Sequence, residues 1–508
     1  MEQKQWMRLK NWWPMLATVA FGLLAHGMRF ANMMFSHDSL LVYQYEPRLQ
    51  ISLGRFLQPV YMFVRGPLCA PWLIGCLALL WTGLAAMLLI HVFGFQGRGT
   101  KLLVCAVLTV NAPFTYTSST YIPWLDIFML SFLFCAVSVF VFARFRFGSL
   151  LGAIPLGIMM GLYQSYFQVA VGLYMILVVR DLLDGKEPKA VFLTGVKAIG
   201  TLLLGTALYY VSYRLVLLLT GVAAADTYNS ISGVGDFAGY SVLELLGEAC
   251  SEMLTAFLEP ETYGSPMVAG CNVILLLLLC LNLGRICWRK KQKPLNVLML
   301  CGILALLPLG VNVVYVIAKG VEHTLMTYSF VMIYVFVLMV QDRADTLVPK
   351  STVENRLMHG AHFGVLLITV AVIWCNGIFT QQVYLKKELN YESTMAAMNR
   401  VIDRMEQVEG YVMGVTPVAF VGNLDDVGTS SRRVGYESIR GMEDFNTSIT
   451  YYETYQMYFQ NILGYPIQLV PEEKMQMIAE TETVQQMSKF PAADCCKMVE
   501  DVLVVKLR

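Results

Sequence analysis

Residues 68–93 read LCAPWLIGCLALLWTGLAAMLLIHVF and contain no Asp, Glu, Lys or Arg. A helix needs about 20 mostly apolar residues to cross the hydrocarbon core of a bilayer. The stretch therefore predicts a transmembrane helix, and similar stretches recur along the chain. Of its 508 residues, 56% are hydrophobic and 14% are charged, whereas soluble domains carry about 25% charged residues. This composition excludes a soluble cytosolic enzyme, a disordered chain and a nucleic-acid binder with a basic face.

The same length criterion predicts about eleven transmembrane helices, and so an α-helical polytopic membrane protein. The predicted spans are residues 12–34, 68–93, 102–118, 123–142, 148–162, 165–180, 190–219, 268–288, 295–317, 325–341 and 360–383. The fifth and sixth are short and rich in Gly and Pro, so they are also compatible with half-helices or a re-entrant pair.

The distribution of Lys and Arg predicts the orientation of these spans. Basic residues cluster at the N-terminus, at Lys4, Arg8 and Lys10, and in the even-numbered connections, whereas the loop 221–267 contains none. Because cytoplasmic loops carry the excess of Lys and Arg, the N-terminus is expected in the cytoplasm. After eleven crossings, residues 385–508 are expected outside.

The C-terminal part, residues 385–508, is predicted to be a small extracytoplasmic α/β domain. It holds 12 Lys and Arg against 18 Asp and Glu, whereas residues 1–384, the predicted transmembrane domain, hold 25 against 18. Helical periodicity predicts helices over 386–409 and 450–463 and one that starts after Pro471. Apolar runs predict strands at 418–421, 467–470 and 502–506, in a partly parallel sheet.

The first outer loop, about residues 33–67, is the candidate catalytic loop. It contains His37, Asp38, Glu46, Arg48 and Arg55, and ionisable residues at a membrane surface are functional candidates by default. Arginine is otherwise scarce on the predicted outer side, and the topology does not require it there. We therefore expect these arginines to bind an anionic ligand or the local carboxylates.

Residue type alone leaves two interpretations of Asp38. A carboxylate beside an apolar surface is suited to act as a general base. Asp is equally suited to be the N-cap of a helix predicted over 39–53. His37 is expected to hydrogen-bond or tune Asp38, because one His beside one Asp is a weak indication of a metal site.

Further basic residues are candidates for binding a phosphate. Arg55 and Arg65 could hold it through charge-assisted hydrogen bonds, and Arg214 and Lys319, with His323, could complete the anion site. Snorkelling to lipid headgroups is the alternative for these side chains, and it explains Arg65 better than Arg55.

Polar and aromatic side chains beyond the first outer loop are candidates for recognising a sugar. Tyr163, Gln164 and Asp126 lie at predicted outer ends of spans, where they could instead satisfy exposed helix ends. Tyrosines in the C-terminal part, residues 385–508, which we call the tail, could stack on carbohydrate. Tyrosines at helical spacing, however, more often pack in a core. These tyrosines are Tyr451, Tyr452, Tyr455 and Tyr458.

Several short motifs, in their order along the chain, resemble the bacterial glucosyl transferase Gtr type II family. They are Ser36-His37-Asp38-Ser39, Leu53-Gly54-Arg55-Phe56, GLYQSYFQ at 161–168, Phe490-Pro491-Ala492-Ala493 and VLVVKL at 502–507. The resemblance covers most of the chain. It implies a place among the polytopic C-type glycosyltransferases, and so a GT-C-like fold.

The resemblance also implies an activity: transfer of a hexose, typically glucose, from a polyprenyl-phosphate carrier to a glycan outside the bacterial plasma membrane. O-antigen, teichoic acid and other surface polysaccharides are candidate acceptors. Asp38 matches the catalytic acid that the family places in its first outer loop, and Arg55 matches a position for which binding of the donor phosphate is expected. Many members carry paired acids, whereas His37 precedes Asp38 here. No metal ligand is therefore assigned, and a divalent cation is the one candidate cofactor.

Two other classes of protein compete with this interpretation. A transporter or flippase of a lipid-linked sugar would explain the short, Gly- and Pro-interrupted fifth and sixth spans, but transport sites lie near the bilayer midplane, and the acids here cluster at the outer boundary. A receptor with an outer ligand-binding domain ranks last, because the inner loops offer no signalling module.

Overall fold

The computed structural model describes residues 12–41, 45–225, 239–258, 266–321, 323–423, 449 and 451–507. Within them, nine helices are long and apolar enough to cross a membrane. They are Pro71–Val92, Arg98–Thr120, Ile122–Arg144, Gln164–Leu183, Pro188–Thr220, Met267–Arg289, Pro294–Val311, Thr324–Asp345 and Thr352–Glu406. The protein is thus a largely helical membrane protein with a small C-terminal sheet.

The predicted spans all fall on helices, which we number in chain order. From the N-terminus to the middle of the chain these are α1 Trp13–Ala31, α2 His37–Leu41, α3 Pro47–Ser52, α4 Gln58–Arg65, α5 Pro71–Val92, α6 Arg98–Val107, α7 Ala112–Thr120, α8 Leu125–Arg144, α9 Gly148–Leu151, α10 Ala153–Leu162, α11 Phe167–Leu183 and α12 Pro188–Thr220. There follow α13 Val242–Leu258, α14 Pro266–Arg289, α15 Pro294–Val311, α16 Val313–Ile317, α17 Val331–Asp345 and α18 Thr352–Glu406. Three 3-10 turns, Ile122–Trp124, Gln164–Tyr166 and Thr324–Phe330, precede α8, α11 and α17.

Two predicted spans are helical but are not among the nine membrane-length helices of the described chain. The segment 148–162 forms a short apolar helix, Gly148–Leu162. Helix α1 buries Thr18, His26 and Arg29 in the protein interior, so its sequence is less apolar than that of a helix facing lipid. By contrast, the predicted sixth span is long enough to cross, because its helix extends to Leu183.

The predicted span at 102–118 is interrupted between α6 and α7. The side chain of Asn111 accepts a hydrogen bond from the backbone N–H of Phe114 at 2.8 Å and so caps α7. This α6–α7 segment is 94% buried over its most apolar window, against 22% for α12. The α6–α7 segment therefore lies in the centre of the helical body, and α12 lies at its periphery.

The last predicted span and the predicted helix at 386–409 form a single helix, α18, of 55 residues. The hydropathy falls near residue 385, but neither Gly nor Pro interrupts residues 378–409, so nothing in the backbone ends the helix there. Its C-terminal turns reach the tail, where Met398 and Met405 are fully buried. The helix ends at Glu406, and Gly410, with a φ of 85°, follows three residues after the C-cap Gln407.

The tail contains a four-stranded sheet, and the apolar runs predicted three of its four strands. Its strands are β1 Pro417–Val421, β2 Gln468–Leu469, β3 Cys496–Val499 and β4 Val502–Lys506, and the order is β2-β1-β4-β3. Strand β1 is parallel to β2 and β4, while β3 is antiparallel to β4. The helices beside the sheet are α19 Thr454–Asn461, α20 Glu472–Ala479 and α21 Glu482–Gln486. The predicted start of a helix after Pro471 is confirmed, and β3 was not predicted.

Some sequence predictions lie outside the described residues. These are the basic residues of the N-terminal segment and almost all of residues 422–448, for which the Gly- and Ser-rich sequence predicts a polar loop.

Candidate functional site

A cavity of about 1540 Å³ lies where the first outer loop meets α12, the turns before α8 and α11, and the turn before α19. Eight of the residues predicted from the sequence line it: His37, Asp38, Arg55, Tyr163, Gln164, Arg214, His323 and Tyr451. The structure therefore brings together most of the predicted site, although these residues come from separate parts of the chain.

Asp38 is held at the wall of this cavity by Trp124. The indole Nε1–H of Trp124 donates a hydrogen bond of 3.0 Å to Oδ2 of Asp38, and the Asp38 side chain is 20% exposed. A carboxylate that is partly desolvated and hydrogen-bonded can accept a proton in a defined direction. This environment is compatible with a general base.

The alternative role of Asp38 as an N-cap is wrong. Helix α2 begins at His37, so Asp38 lies within its first turn. Ser36 occupies the capping position, where its Oγ accepts from the backbone N–H of Ser39 at 3.4 Å and donates to the carbonyl of Thr120 at 2.5 Å. The predicted helix at 39–53 is also wrong, because Glu46 is extended and Pro47 starts a new helix, α3. An extended residue before proline is the favoured geometry.

His37 lies beside Asp38, as predicted. Its Nε2 is 3.5 Å from Oδ1 of Asp38, and the edges of Tyr121 and Tyr451 face its ring. Its buried Nδ1 has no hydrogen-bond partner within the described part of the chain. That part also contains no group of three or more His, Cys, Asp or Glu side chains that could hold a metal ion.

Arg55 is one of the cations of the cavity wall. Its guanidinium carbon lies 5.2 Å from the centre of the Tyr163 ring, within the range of a cation–π contact. Its Nε is buried and has no hydrogen-bond partner among the described residues. The Arg55 side chain also forms no ion pair with them, so its charge is available to an anionic ligand.

Hydrogen bonds from side chains to backbone carbonyls fix the turn that carries Arg55. The hydroxyls of Tyr209 and Tyr213 on α12 donate to the carbonyls of Gly54 and Ser52, at 3.1 and 2.7 Å. The amide of Gln164 donates to the carbonyl of Leu53 at 3.0 Å, and Gly54 has a φ of 82°, which glycine adopts without strain. The donor group of Gln164 is therefore used to position this turn.

The other predicted ligands differ in their relation to the cavity. Arg214 lines it from the exposed side of α12. Glu46 and Arg48 are exposed near the start of α3, and Lys319 lies 5.8 Å from the ring of Tyr240. None of these three belongs to the described cavity wall. His323 does line the cavity, and because burial lowers the pKa of its imidazole, the ring is neutral near pH 7 and adds no charge.

Arg65 does not bind a phosphate in this cavity, and it does not snorkel. It is almost fully buried, with Nε 3.5 Å from Oδ2 of the fully buried Asp126. Tyr61, one turn earlier on α4, donates to the same Oδ2 at 3.0 Å. Asp126 is therefore committed to an internal ion pair and does not line the cavity with Asp38.

Sequence reasoning missed part of the cavity wall. The aromatic rings of Tyr209, Tyr213 and Phe56 stack on each other, with Tyr209 and Tyr213 inclined by only 3°. The i, i+4 spacing of the two tyrosines was the available indication. Glu453, which was not predicted, lines the cavity from the tail beside the predicted Tyr451, and no local pattern relates either residue to Asp38.

These features define a polytopic helical membrane protein with an acidic, a cationic and an aromatic group in one large cavity at one end of its helices. The family model for glucosyl transferase GtrII matches residues 27–340, and the chain belongs to this family. No curated protein and no solved structure matches the chain. The family confirms the resemblance drawn from the motifs. The protein is therefore a membrane glucosyltransferase that uses a sugar donor and a glycan acceptor.

Proposed function

We propose that this protein transfers glucose from a polyprenyl-phosphate carrier to a surface glycan outside the bacterial plasma membrane. The observation that carries the proposal is the shared cavity of Asp38 and Arg55. Displacement of a phosphate-linked sugar requires a base for the acceptor and a positive charge for the leaving group, and the cavity contains both.

The cationic part of the cavity suits the phosphate of the donor. Arg55 presents a guanidinium with a buried Nε that has no partner among the described side chains. Arg214 adds a second positive charge to the wall. A guanidinium matches the geometry of phosphate oxygens, so Arg55 is the donor-phosphate ligand and Arg214 supports it electrostatically.

The apolar part of the cavity suits the lipid tail of the donor. It is lined by Met160, Leu203, Ala207, Val314 and Ile317. Helix α12, which carries two of these residues, is the least buried of the nine membrane-length helices in the described chain. A lipid-linked donor can therefore extend from the bilayer along α12 to the cavity.

The reaction is a single displacement at the anomeric carbon. The Asp38 carboxylate accepts the proton of the acceptor hydroxyl as its oxygen forms a bond to that carbon. The bond between the anomeric carbon and the phosphate oxygen breaks, and its electron pair leaves with the polyprenyl phosphate. Arg55 stabilises the negative charge that develops on this phosphate. The configuration at the anomeric carbon is inverted.

The proposed topology puts this cavity outside. With the N-terminus in the cytoplasm and eleven crossings, the first outer loop and the tail lie on the outer side. Nucleotide sugars are absent there, so a donor delivered by a membrane lipid fits the location. The short helix Gly148–Leu162 and helix α1 are the two crossings that this topology adds to the nine.

The test uses the full-length protein in nanodiscs with polyprenyl phosphate carrying radiolabelled glucose. The acceptor is the surface glycan from cells of the source bacterium that lack the protein. We expect labelled glycan and free polyprenyl phosphate in equal amounts. Because a general base contributes about 100- to 10,000-fold, we expect Asp38→Asn to reduce the rate by at least about 100-fold.

Asp501→Asn is the matched control, because Asp501 is exposed in the tail and pairs only weakly with Lys474, at 3.8 Å. It should retain the wild-type rate. Movement of the intact lipid-linked sugar across proteoliposomes without cleavage would instead favour a flippase. Near wild-type transfer by Asp38→Asn would exclude Asp38 as the base.

A further inference from the structure

The tail supplies one wall of the cavity. Tyr451 and Glu453, in the turn just before α19, line it together with Asp38 and His37. The family match ends at residue 340, so these two residues lie outside the part of the chain that defines the family. The tail is therefore part of the site and not merely attached to the transmembrane body.

The segment that carries Asp38 packs into the core of the tail. Phe35 and Leu40, on either side of His37 and Asp38, are buried in the same hydrophobic cluster as Tyr458 and Phe459 of α19. The ring of Phe35 also lies 6.0 Å from that of Tyr391 on α18. Both flanks of Asp38 are therefore packed in the same core as the tail wall of the cavity.

Only some of the tyrosines at 451–458 pack in the core of the tail. Tyr455 stacks on Phe420 at 4.4 Å, and Tyr458 is fully buried. Tyr451 instead is 49% exposed, and its ring meets that of His37 at 5.4 Å. Glu453 is exposed, and its side chain makes no capping hydrogen bond with α19. Both side chains are thus directed to the cavity without being required for the packing of α19.

The positive and negative charges of the cavity come from different elements of the chain. Arg55 and Arg214 provide positive charge from the side of α3, α4 and α12, whereas Asp38 and Glu453 provide negative charge from the side of α2 and the tail. A phosphate is repelled by two carboxylates, so it belongs with the arginines. Carboxylates accept hydrogen bonds from hydroxyl groups, and an aromatic ring offers a flat apolar face. The acidic, aromatic side therefore suits a neutral ligand rich in hydroxyl groups.

From this arrangement we infer that Tyr451 and Glu453 form the acceptor subsite, which holds one neutral sugar ring of the surface glycan beside Asp38. This inference rests on the function proposed above. Tyr451 packs against the apolar face of the ring, and Glu453 accepts hydrogen bonds from its hydroxyls. The attacking hydroxyl then points to Asp38. The tail, and not the family-defining body, selects the acceptor.

The test measures initial rates of the full-length protein in nanodiscs at saturating labelled donor while the concentration of the acceptor glycan is varied. Tyr451→Ala and Glu453→Gln should each raise the KM for the glycan about tenfold, as expected for a residue central to a binding surface. Tyr451→Phe keeps the ring and should remain within about twofold of the wild type. Glu472→Gln, which changes an exposed acid of α20, is the matched control.

A second measurement separates the acceptor from the donor. Without glycan, the slow release of labelled glucose to water reports only on the donor and Asp38. Asp38→Asn should reduce it about as strongly as it reduces transfer, whereas Tyr451→Ala and Glu453→Gln should reduce it much less than they reduce transfer at low glycan concentration. An unchanged KM for the glycan in both tail variants, or an equal loss of hydrolysis and transfer, would overturn the inference. Failure of the wild-type protein to transfer glucose at all would instead overturn the proposed function.

Discussion

Nε1 of Trp124 and Oδ2 of Asp38 lie 3.0 Å apart and form a hydrogen bond between two elements that are far apart in sequence. Trp124 belongs to the 3-10 turn before α8, and Asp38 belongs to the first turn of α2. The indole N–H can only donate. It therefore holds Oδ2, whereas the other oxygen, Oδ1, lies 3.5 Å from Nε2 of His37.

Trp124→Phe tests this hydrogen bond. Loss of a hydrogen-bond donor to a charged group costs about 1.5 kcal/mol or more. Asp38 loses the contact that fixes one of its oxygens at the cavity wall. The kcat of transfer should therefore fall about tenfold, while the KM for the donor stays within about twofold. Trp288→Phe, at an exposed position near the other end of the body, should leave kcat unchanged, and a wild-type kcat in Trp124→Phe would contradict the role of the indole.

Arg55 offers a test of phosphate binding. Arg55→Gln removes the charge and should lower kcat/KM for the donor about 100-fold. Arg55→Lys keeps the charge but loses the planar fork, so it should recover only part of the rate. The matched control is Arg146→Gln, since Arg146 is exposed beyond the opposite end of α8. Equal donor kinetics in wild type and Arg55→Gln would assign the phosphate to another cation.

The sequence predicts the helices of the body well, because burial in lipid and backbone hydrogen bonding leave few alternatives for a long apolar run. Each predicted span is helical, although 102–118, 148–162 and 295–317 are each divided between two helices. The end of α18 was less predictable. A change in hydropathy marks where a helix leaves an apolar environment but does not end it, and α18 continues to Glu406.

The site was predictable where its residues lie in a motif and not where distant elements meet. His37, Asp38 and Arg55 stand in short motifs of the first outer loop, and all three line the cavity. The role of Arg65 depends on the approach of α4 to the start of α8, which no local pattern encodes. Tyr451 reaches the site through packing of α19 on α2, which likewise involves residues far apart in the chain.

The buried pair of Arg65 and Asp126 should contribute to stability and to the placement of Trp124. Arg65 also donates to the carbonyl of Pro123 at 3.3 Å, next to Trp124. Breaking a buried pair leaves one charge without compensation and costs about 3 kcal/mol or more. We expect Arg65→Met and Asp126→Asn each to lower the Tm of the protein in detergent by several degrees.

A double variant distinguishes the ion pair from other roles of the two residues. Replacement of a buried pair by apolar groups is often neutral, so Arg65→Met combined with Asp126→Leu should have a higher Tm than Arg65→Met alone. Additive losses of Tm in the double variant would show that the two side chains act independently.

Labelling of introduced cysteines tests the proposed topology. Arg48 and Arg146 are both exposed, beyond the cavity end and the opposite end of the body, so Arg48→Cys and Arg146→Cys form a matched pair. In intact cells, a membrane-impermeant maleimide should label Arg48→Cys above the background of the twelve native cysteines. It should label Arg146→Cys only after the membrane is permeabilised. The positive-inside distribution of Lys and Arg requires this result. The opposite pattern would place Asp38 in the cytoplasm, where a lipid-linked donor offers no advantage over a nucleotide sugar.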